Sequence, residues 1–175
     1  MSDKECYEIR MQLENYEDIF SDFDPRPFHE RALSDDFLLE TKKASLDKGE
    51  KMDLLFFLGK EKRNSKDEAT IKKRLLAHFK RHFLLLQQEQ KKVFKMGILF
   101  VVVGIIFMLI ATFFLFKYEH SLIASLIIII LEPSSWFLFW EGLNLLIFTS
   151  KKKQPELIFY EKMSHAHIFF ESKKT

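Results

Sequence analysis

The chain has 175 residues, a near-balanced charge of 27 Lys and Arg against 25 Asp and Glu, and a single cysteine, Cys6. One cysteine excludes an intramolecular disulfide and a four-cysteine zinc site, and Cys6 is given no redox role. Glycines are few, and no Gly-rich phosphate loop, nucleophile elbow or metalloprotease helix occurs, so neither an enzyme nor a cofactor is expected.

Residues 5–13 alternate, with Tyr7, Ile9, Met11 and Leu13 on one side and Glu8, Arg10 and Gln12 on the other, the pattern of a half-buried strand. Asp24-Pro25-Arg26-Pro27-Phe28 follows, where two prolines one residue apart demand extended or turn backbone. Ser34 stands as N-cap, with Leu33 and Leu38 at the staple positions, of a helix from Asp35 to about Leu46 whose end is marked by Gly49. Residues 52–58 (MDLLFFL) form too short an apolar run for a helix and read as a buried strand. Ser65 and Glu68 have capping-box spacing. No Pro or Gly occurs between Lys66 and Gly97, so one long helix is expected to run into the first apolar segment. Along it Leu76, Phe79, Phe83, Leu86 and Val93 fall at alternating spacings of three and four, with Gln90 filling the one polar slot.

Residues 96–116 contain no charge, and as a helix they would be about 31 Å long, the thickness of a bilayer core. The polar tip Lys117-Tyr118-Glu119-His120 follows. Residues 121–148 are then apolar apart from Glu132, Glu141 and Asn144, and Lys151, Lys152 and Lys153 come next. Pro133 is expected to break this second crossing near residues 132–135. The first 90 residues contain no signal-like apolar region, so the first crossing is expected to act as an internal targeting signal. Lys80, Arg81, Lys91, Lys92 and Lys95 precede the hairpin and the three lysines follow it, against Lys117 alone at the tip. The positive-inside rule then puts both termini in the cytoplasm.

Pro155 is expected to open a short helix to about Met163, and residues 166–171 (AHIFFE) a last strand. The fold expected is an α-helical membrane hairpin with two transmembrane helices and a small cytoplasmic α+β domain. Its first helix would cross over between parallel strands, and its C-terminal strand would return after the hairpin. The segments are 1–66 (cytoplasmic), 67–95 (juxtamembrane helix), 96–116 (first crossing), 117–120 (external tip), 121–148 (second crossing) and 149–175 (cytoplasmic tail).

Several segments resemble, in the same order, a group of uncharacterised bacterial proteins with two membrane helices. They are Ile19-Phe20 with residues 23–31 (FDPRPFHER), residues 53–58, residues 75–79, Trp136-Phe137-Leu138-Phe139-Trp140 with Leu143, and Phe159-Tyr160-Glu161-Lys162-Met163. The Pro-x-Pro-Phe-x-Glu-Arg stretch and the two tryptophans four apart are the most specific parts. Family members commonly carry Pro and Glu after the second Trp, where Gly142 and Asn144 stand here. The resemblance implies the architecture of domain, hairpin and tail, and no functional residue is carried over from it.

Glu132 is the sharpest candidate residue. A carboxylate deep in a crossing marks an ion or proton path or a polar contact between subunits, against the plainer reading of a water-reaching Glu at a Pro133-Ser134-Ser135 kink. Trp136, Trp140 and Glu141 read as an interfacial belt. His78 with His82, and His165 with His167, share faces and read as packed or solvated rather than metal-bound. Residues 60–95 carry twelve Lys and Arg against four Asp and Glu, and residues 1–50 seven against fourteen, so the basic helix meets either anionic lipid or the acidic N-terminal half. No nucleic-acid-binding module occurs. Leu86 and Val93 could extend a dimer seam, and Pro25-Arg26-Pro27-Phe28 is an exposed contact for a cytoplasmic protein partner. These features together lead to a membrane-anchored, self-associating scaffold, with an oligomeric pore lined by Glu132 as the rival.

Overall fold

The first strand, β1 (Cys6–Gln12), is followed by a 3-10 turn at Tyr16–Ile19, helix α1 (Asp35–Ser45) and strand β2 (Lys51–Leu58). A second 3-10 turn, Lys60–Lys62, leads into α2 (Ser65–Lys117). Helix α3 (Leu122–Asn144), a π-turn at Leu145–Thr149, α4 (Ser150–Ser164) and strand β3 (Ile168–Ser172) complete the order. This is a computed structural model, and it describes residues 6–45, 51–118 and 121–172; Gly49, Glu119 and His120, invoked above, lie outside the described residues. The chain is mostly helical, with two helices long and apolar enough to cross a membrane and a small three-stranded sheet. It divides into two units, one of residues 1–85 with 156–175 and one of residues 86–155.

In the first unit the strand order is β1-β2-β3, and both pairings are parallel. The α1 crossover that makes β1 and β2 parallel follows the expected βαβ logic. β3 returns in the same direction as β2, so the small sheet is parallel throughout. The strand residues of the core share one face: Ile9, Met52, Leu54, Phe56, Leu58, Ile168 and Phe170. Against them pack Phe37 of α1, Ile71, Leu75 and Phe79 of α2, and Phe159 and Met163 of α4. The register puts Arg10, Leu55 and Phe169 side by side on the reverse face, and Gln12, Phe57 and Glu171 one step along. Parallel sheets are usually covered on both faces, yet Arg10, Gln12, Phe169 and Glu171 on this one are exposed.

Local sequence explains most of the element ends. The Ser34 hydroxyl lies 3.5 Å from the Phe37 amide it caps, and Leu33 and Leu38 both join the core. The Ser65–Glu68 box is corrected. Asn64 is the cap of α2, its Oδ1 accepting from the Lys66 amide at 3.0 Å, while Glu68 turns away to bind Arg63 and Tyr16. Asn caps as well as Ser, and the Glu68 carboxylate makes stronger charge-assisted bonds elsewhere. The buried stripe of α2 is also shifted from the one expected: Ile71, Leu75 and Phe79 are fully buried, while Leu76 is only partly so.

In the second unit α2 and α3 pack through small residues. Gly97, Gly104 and Ala111 are buried and stand seven apart on α2; Ser135 and Gly142 are buried and seven apart on α3. Seven residues are nearly two helical turns, so each set forms one line along its helix, as in a coiled-coil seam. A Cβ added at Gly142 would stand 2.7 Å from Val101 Cγ2 and 2.8 Å from the Gly97 carbonyl oxygen, and one at Gly104 would stand 2.9 Å from the Ser135 carbonyl oxygen. The two backbones approach that closely only because those side chains are absent.

Two proline expectations are corrected. Helix α3 continues through Pro133 without a break at residues 132–135. Pro133 has no N–H to give to the carbonyl one turn back, and the Ser134 hydroxyl donates to Ile130 O at 2.6 Å while the Ser135 hydroxyl donates to Glu132 O at 2.7 Å. The irregularity comes later, as the π-turn, after which α4 begins at Ser150. Pro155 therefore sits inside a helix rather than opening one. The last strand starts two residues later than expected, at Ile168, which puts His165 and His167 before it rather than on its face.

Candidate functional site

Glu132 lies ten residues into α3, about 15 Å along it at helical rise. Its side chain is exposed, outside the line of Ser135 and Gly142 that meets α2. Among the described residues no hydrogen bond or ion pair reaches its carboxylate. In hydrocarbon such a group costs about 2.5–3.5 kcal/mol on insertion scales. Trp136 and Trp140 follow at successive turns, 51% and 62% exposed. Glu141 lies half-buried beside them, its carboxylate 3.5 Å from the Asn144 amide nitrogen. Of the polar group singled out in the sequence, Glu132 and Pro133 face outward, Ser134 is half-buried, and Ser135 is buried against α2, only 1% exposed.

Leu86 and Val93 are both half-buried. Val93 stands one turn before Gly97 and continues the line of Gly97, Gly104 and Ala111, the line that faces the returning helix of the same chain. Lys153 and Glu89 close this end of the second unit with a 2.7 Å ion pair, which holds the Glu89 carboxyl below its ordinary range.

The Pro25–Phe28 loop is folded more tightly than its sequence implies. Phe20 and Leu33 form an antiparallel bridge at its neck. Asp24 accepts two side-chain bonds from Arg26 and one from the Ala32 amide at 2.7 Å, and these, the Arg26 bonds first, hold it well below the usual carboxylate range. Phe28 turns inward and stacks on Phe20 with ring centroids 5.2 Å apart. Pro25, Arg26 and Pro27 remain exposed, but the exposed aromatic of the loop is Phe23, 97% accessible, rather than Phe28. Arg74 of α2 anchors the loop by donating from Nε to Arg31 O at 3.0 Å. A cleft of about 520 Å³ lies where they meet, lined by His29, Thr70, Lys73, Arg74 and Ala77.

One polar cluster was not singled out from the sequence. Glu68, 8% exposed, accepts from Arg63 Nε at 2.8 Å and NH2 at 3.1 Å, and from the Tyr16 hydroxyl at 3.1 Å. The Asn64 amide donates to the Tyr16 oxygen, and Arg63 NH1 reaches Ser172 Oγ at 3.3 Å. The Arg63 bonds outweigh burial and lower the Glu68 pKa, while burial raises that of Tyr16. The cluster ties the segment after β1, the start of α2 and the end of β3, and with every group engaged it reads as a structural clasp.

The histidine pairs also resolve. His78 and His82 lie with ring centroids 4.3 Å apart, and His82 stacks on Tyr160. Burial first, then the charges of His82, Arg74 and Arg81, press the His78 pKa down to about 4, and its Nε2 is buried with no hydrogen-bond partner. His167 pairs with Asp53, Nδ1 to Oδ1 3.2 Å, and His165 Nδ1 lies 3.0 Å from Glu161 O. Among the described residues no three His, Cys, Asp or Glu side chains converge as a metal set would require.

Comparison with protein-family models, with curated proteins and with solved structures finds no match for this chain. The bacterial resemblance therefore rests on the quoted residues alone.

Proposed function

We propose that this chain is a membrane-anchored, self-associating interaction protein of the bacterial inner membrane, with residues 96–148 inserted as a hairpin and both termini cytoplasmic. One observation carries the reading. The most apolar stretch of each long helix is only 11% buried, so Ile98, Leu109, Leu126, Ile130 and Phe137 face outward together. Apolar surface continuous over that length is far more than water-facing proteins leave uncovered. The lysines flanking the hairpin support the orientation, and Phe23 beside the rigid Pro25-Arg26-Pro27 turn offers a contact for a cytoplasmic protein.

Alkaline carbonate washing tests the anchor: the protein stays with the membrane pellet. Protease applied from outside should leave both termini intact, whereas cleavage of either terminus in sealed vesicles would overturn the orientation. Cross-linking in membranes should capture dimers or larger species, and a chain that is monomeric in both bilayer and detergent would remove self-association. The outward Glu132 favours a second reading, a ring of hairpins around an ion path. Reconstituted liposomes should then conduct, with a current altered by Glu132→Gln; a confirmed oligomer without conductance excludes the pore.

A further inference from the structure

We infer that the outward edge of α3 formed by Glu132, Trp136 and Trp140 is the surface on which a second copy of this chain docks, the two Glu132 side chains meeting across it. The inference rests on the membrane-anchored reading. The three residues follow one another at successive turns of α3 and all are exposed. The neighbouring face of α3 offers Glu132 no refuge. Ser135 is buried there, and Gly142 has less than 3 Å of room against Val101 and Gly97. A carboxylate cannot be drawn between helices packed that closely.

Hydrocarbon supplies no hydrogen bond, so whatever covers Glu132 must bring a polar group to the same depth. Residues 96–116 and 121–148 contain no Lys, Arg or His that could do so from within the chain. A second copy inserted in the same orientation brings its own Glu132 to that depth by symmetry, and the pair is satisfied when one carboxyl keeps its proton and donates its O–H to an oxygen of the other. In a two-fold, isologous contact a residue near the axis meets its own counterpart. Trp136 and Trp140 then flank the pair with large rigid rings that keep acyl chains out, the usual surroundings of an interface anchor.

The test uses the full chain with Cys6→Ser, reconstituted in liposomes. Single cysteines are introduced at Ile129, an exposed residue about one turn before Glu132, and at Ile105, an exposed residue of α2, as a control. On oxidation, Ile129→Cys should form disulfide dimers several-fold faster than Ile105→Cys. Added to Ile129→Cys, Glu132→Gln should preserve the dimer, since the amide still donates and accepts, while Glu132→Leu should lower the dimer association constant about three- to tenfold, the range of polar contacts between membrane helices. Equal rates at the two cysteines, or a Glu132→Leu dimer as strong as the parent, would overturn the proposal in favour of a different partner or none. Carbonate washing of the same liposomes separates the two levels: retention without preferential Ile129→Cys cross-linking sinks the docking surface alone, and extraction sinks the anchor along with it.

Discussion

Lowering the pH from 7 to 5 should loosen the first unit through His78. Its ring is packed beside His82, and burial together with the nearby His82, Arg74 and Arg81 takes its pKa from 6.5 to about 4. Because the folded value lies below the unfolded one, the unfolded chain takes up the proton first. The stability associated with neutral His78 is therefore complete above about pH 6.5 and is lost as pH falls through about 4. A gap of about 2.5 units corresponds to about 3 kcal/mol in all, of which about 2 kcal/mol is already lost at pH 5. Glu68, also lowered, acts in the same direction but at more acid pH. Hydrogen exchange at the Leu54 and Phe56 amides of β2, in the full chain in nanodiscs and corrected for intrinsic rates, reads this opening. Protection should fall about 30-fold between pH 7 and pH 5, and by much less in His78→Phe, which fills the same site with an apolar ring. A His78→Phe protein that loses protection as steeply as its parent would refute the reasoning, as would direct titration of His78 near its ordinary value.

Gly142→Ala forces a Cβ against Val101 and the Gly97 backbone, and should destabilise the α2–α3 hairpin by about 1–3 kcal/mol, seen as a lower SDS midpoint for loss of helix by circular dichroism. Glu68→Ala removes the acceptor shared by Arg63 and Tyr16 and should cost about 2 kcal/mol, whereas Arg63→Lys, which loses the two-nitrogen grip, should cost less; exchange at Ser172 and Tyr16 is the readout. Asn64→Ala should cost about 1 kcal/mol and Ser65→Ala next to nothing, measured as fraying of the first turn of α2 by amide exchange, since Asn64 and not Ser65 caps the helix. The reverse ranking would restore the Ser65 capping box.

Strands and helices with a clean period were legible. The alternation through Ile9 and Met11, the MDLLFFL run and the stretch after Lys66 free of Pro and Gly each lead to the element observed. Both prolines read locally as breaks, yet the helices run on through Pro133 and Pro155. Glu68 was read as a local cap when its partners come from fifty residues away in Tyr16 and from Arg63 just before the helix. Phe28 was read as an exposed contact because nothing local predicts the bridge between Phe20 and Leu33 that turns it inward. The Tyr16–Glu68 bond and the inward turn of Phe28 depend on tertiary neighbours, which a period or motif does not contain.

The orientation of Glu132 is different, because its signal is present in the sequence and lies in residues other than Glu132. Gly97, Gly104 and Ala111 repeat every seven positions, and Ser135 and Gly142 do the same on the returning helix. In an apolar hairpin the driving force for packing is close backbone contact rather than expulsion of water, so the smallest side chains, not the largest, mark the inner face. That phase puts Ser135 inside and leaves Glu132 on the flank, without reference to the carboxylate. Hydrophobicity alone could not have chosen, since almost every residue around it is apolar. The same logic makes the seam and the carboxylate separable in experiment. Gly142→Ala should open the hairpin within one chain, Glu132→Leu should weaken contact between chains, and a double variant should show the two losses adding, as expected for sites without shared partners.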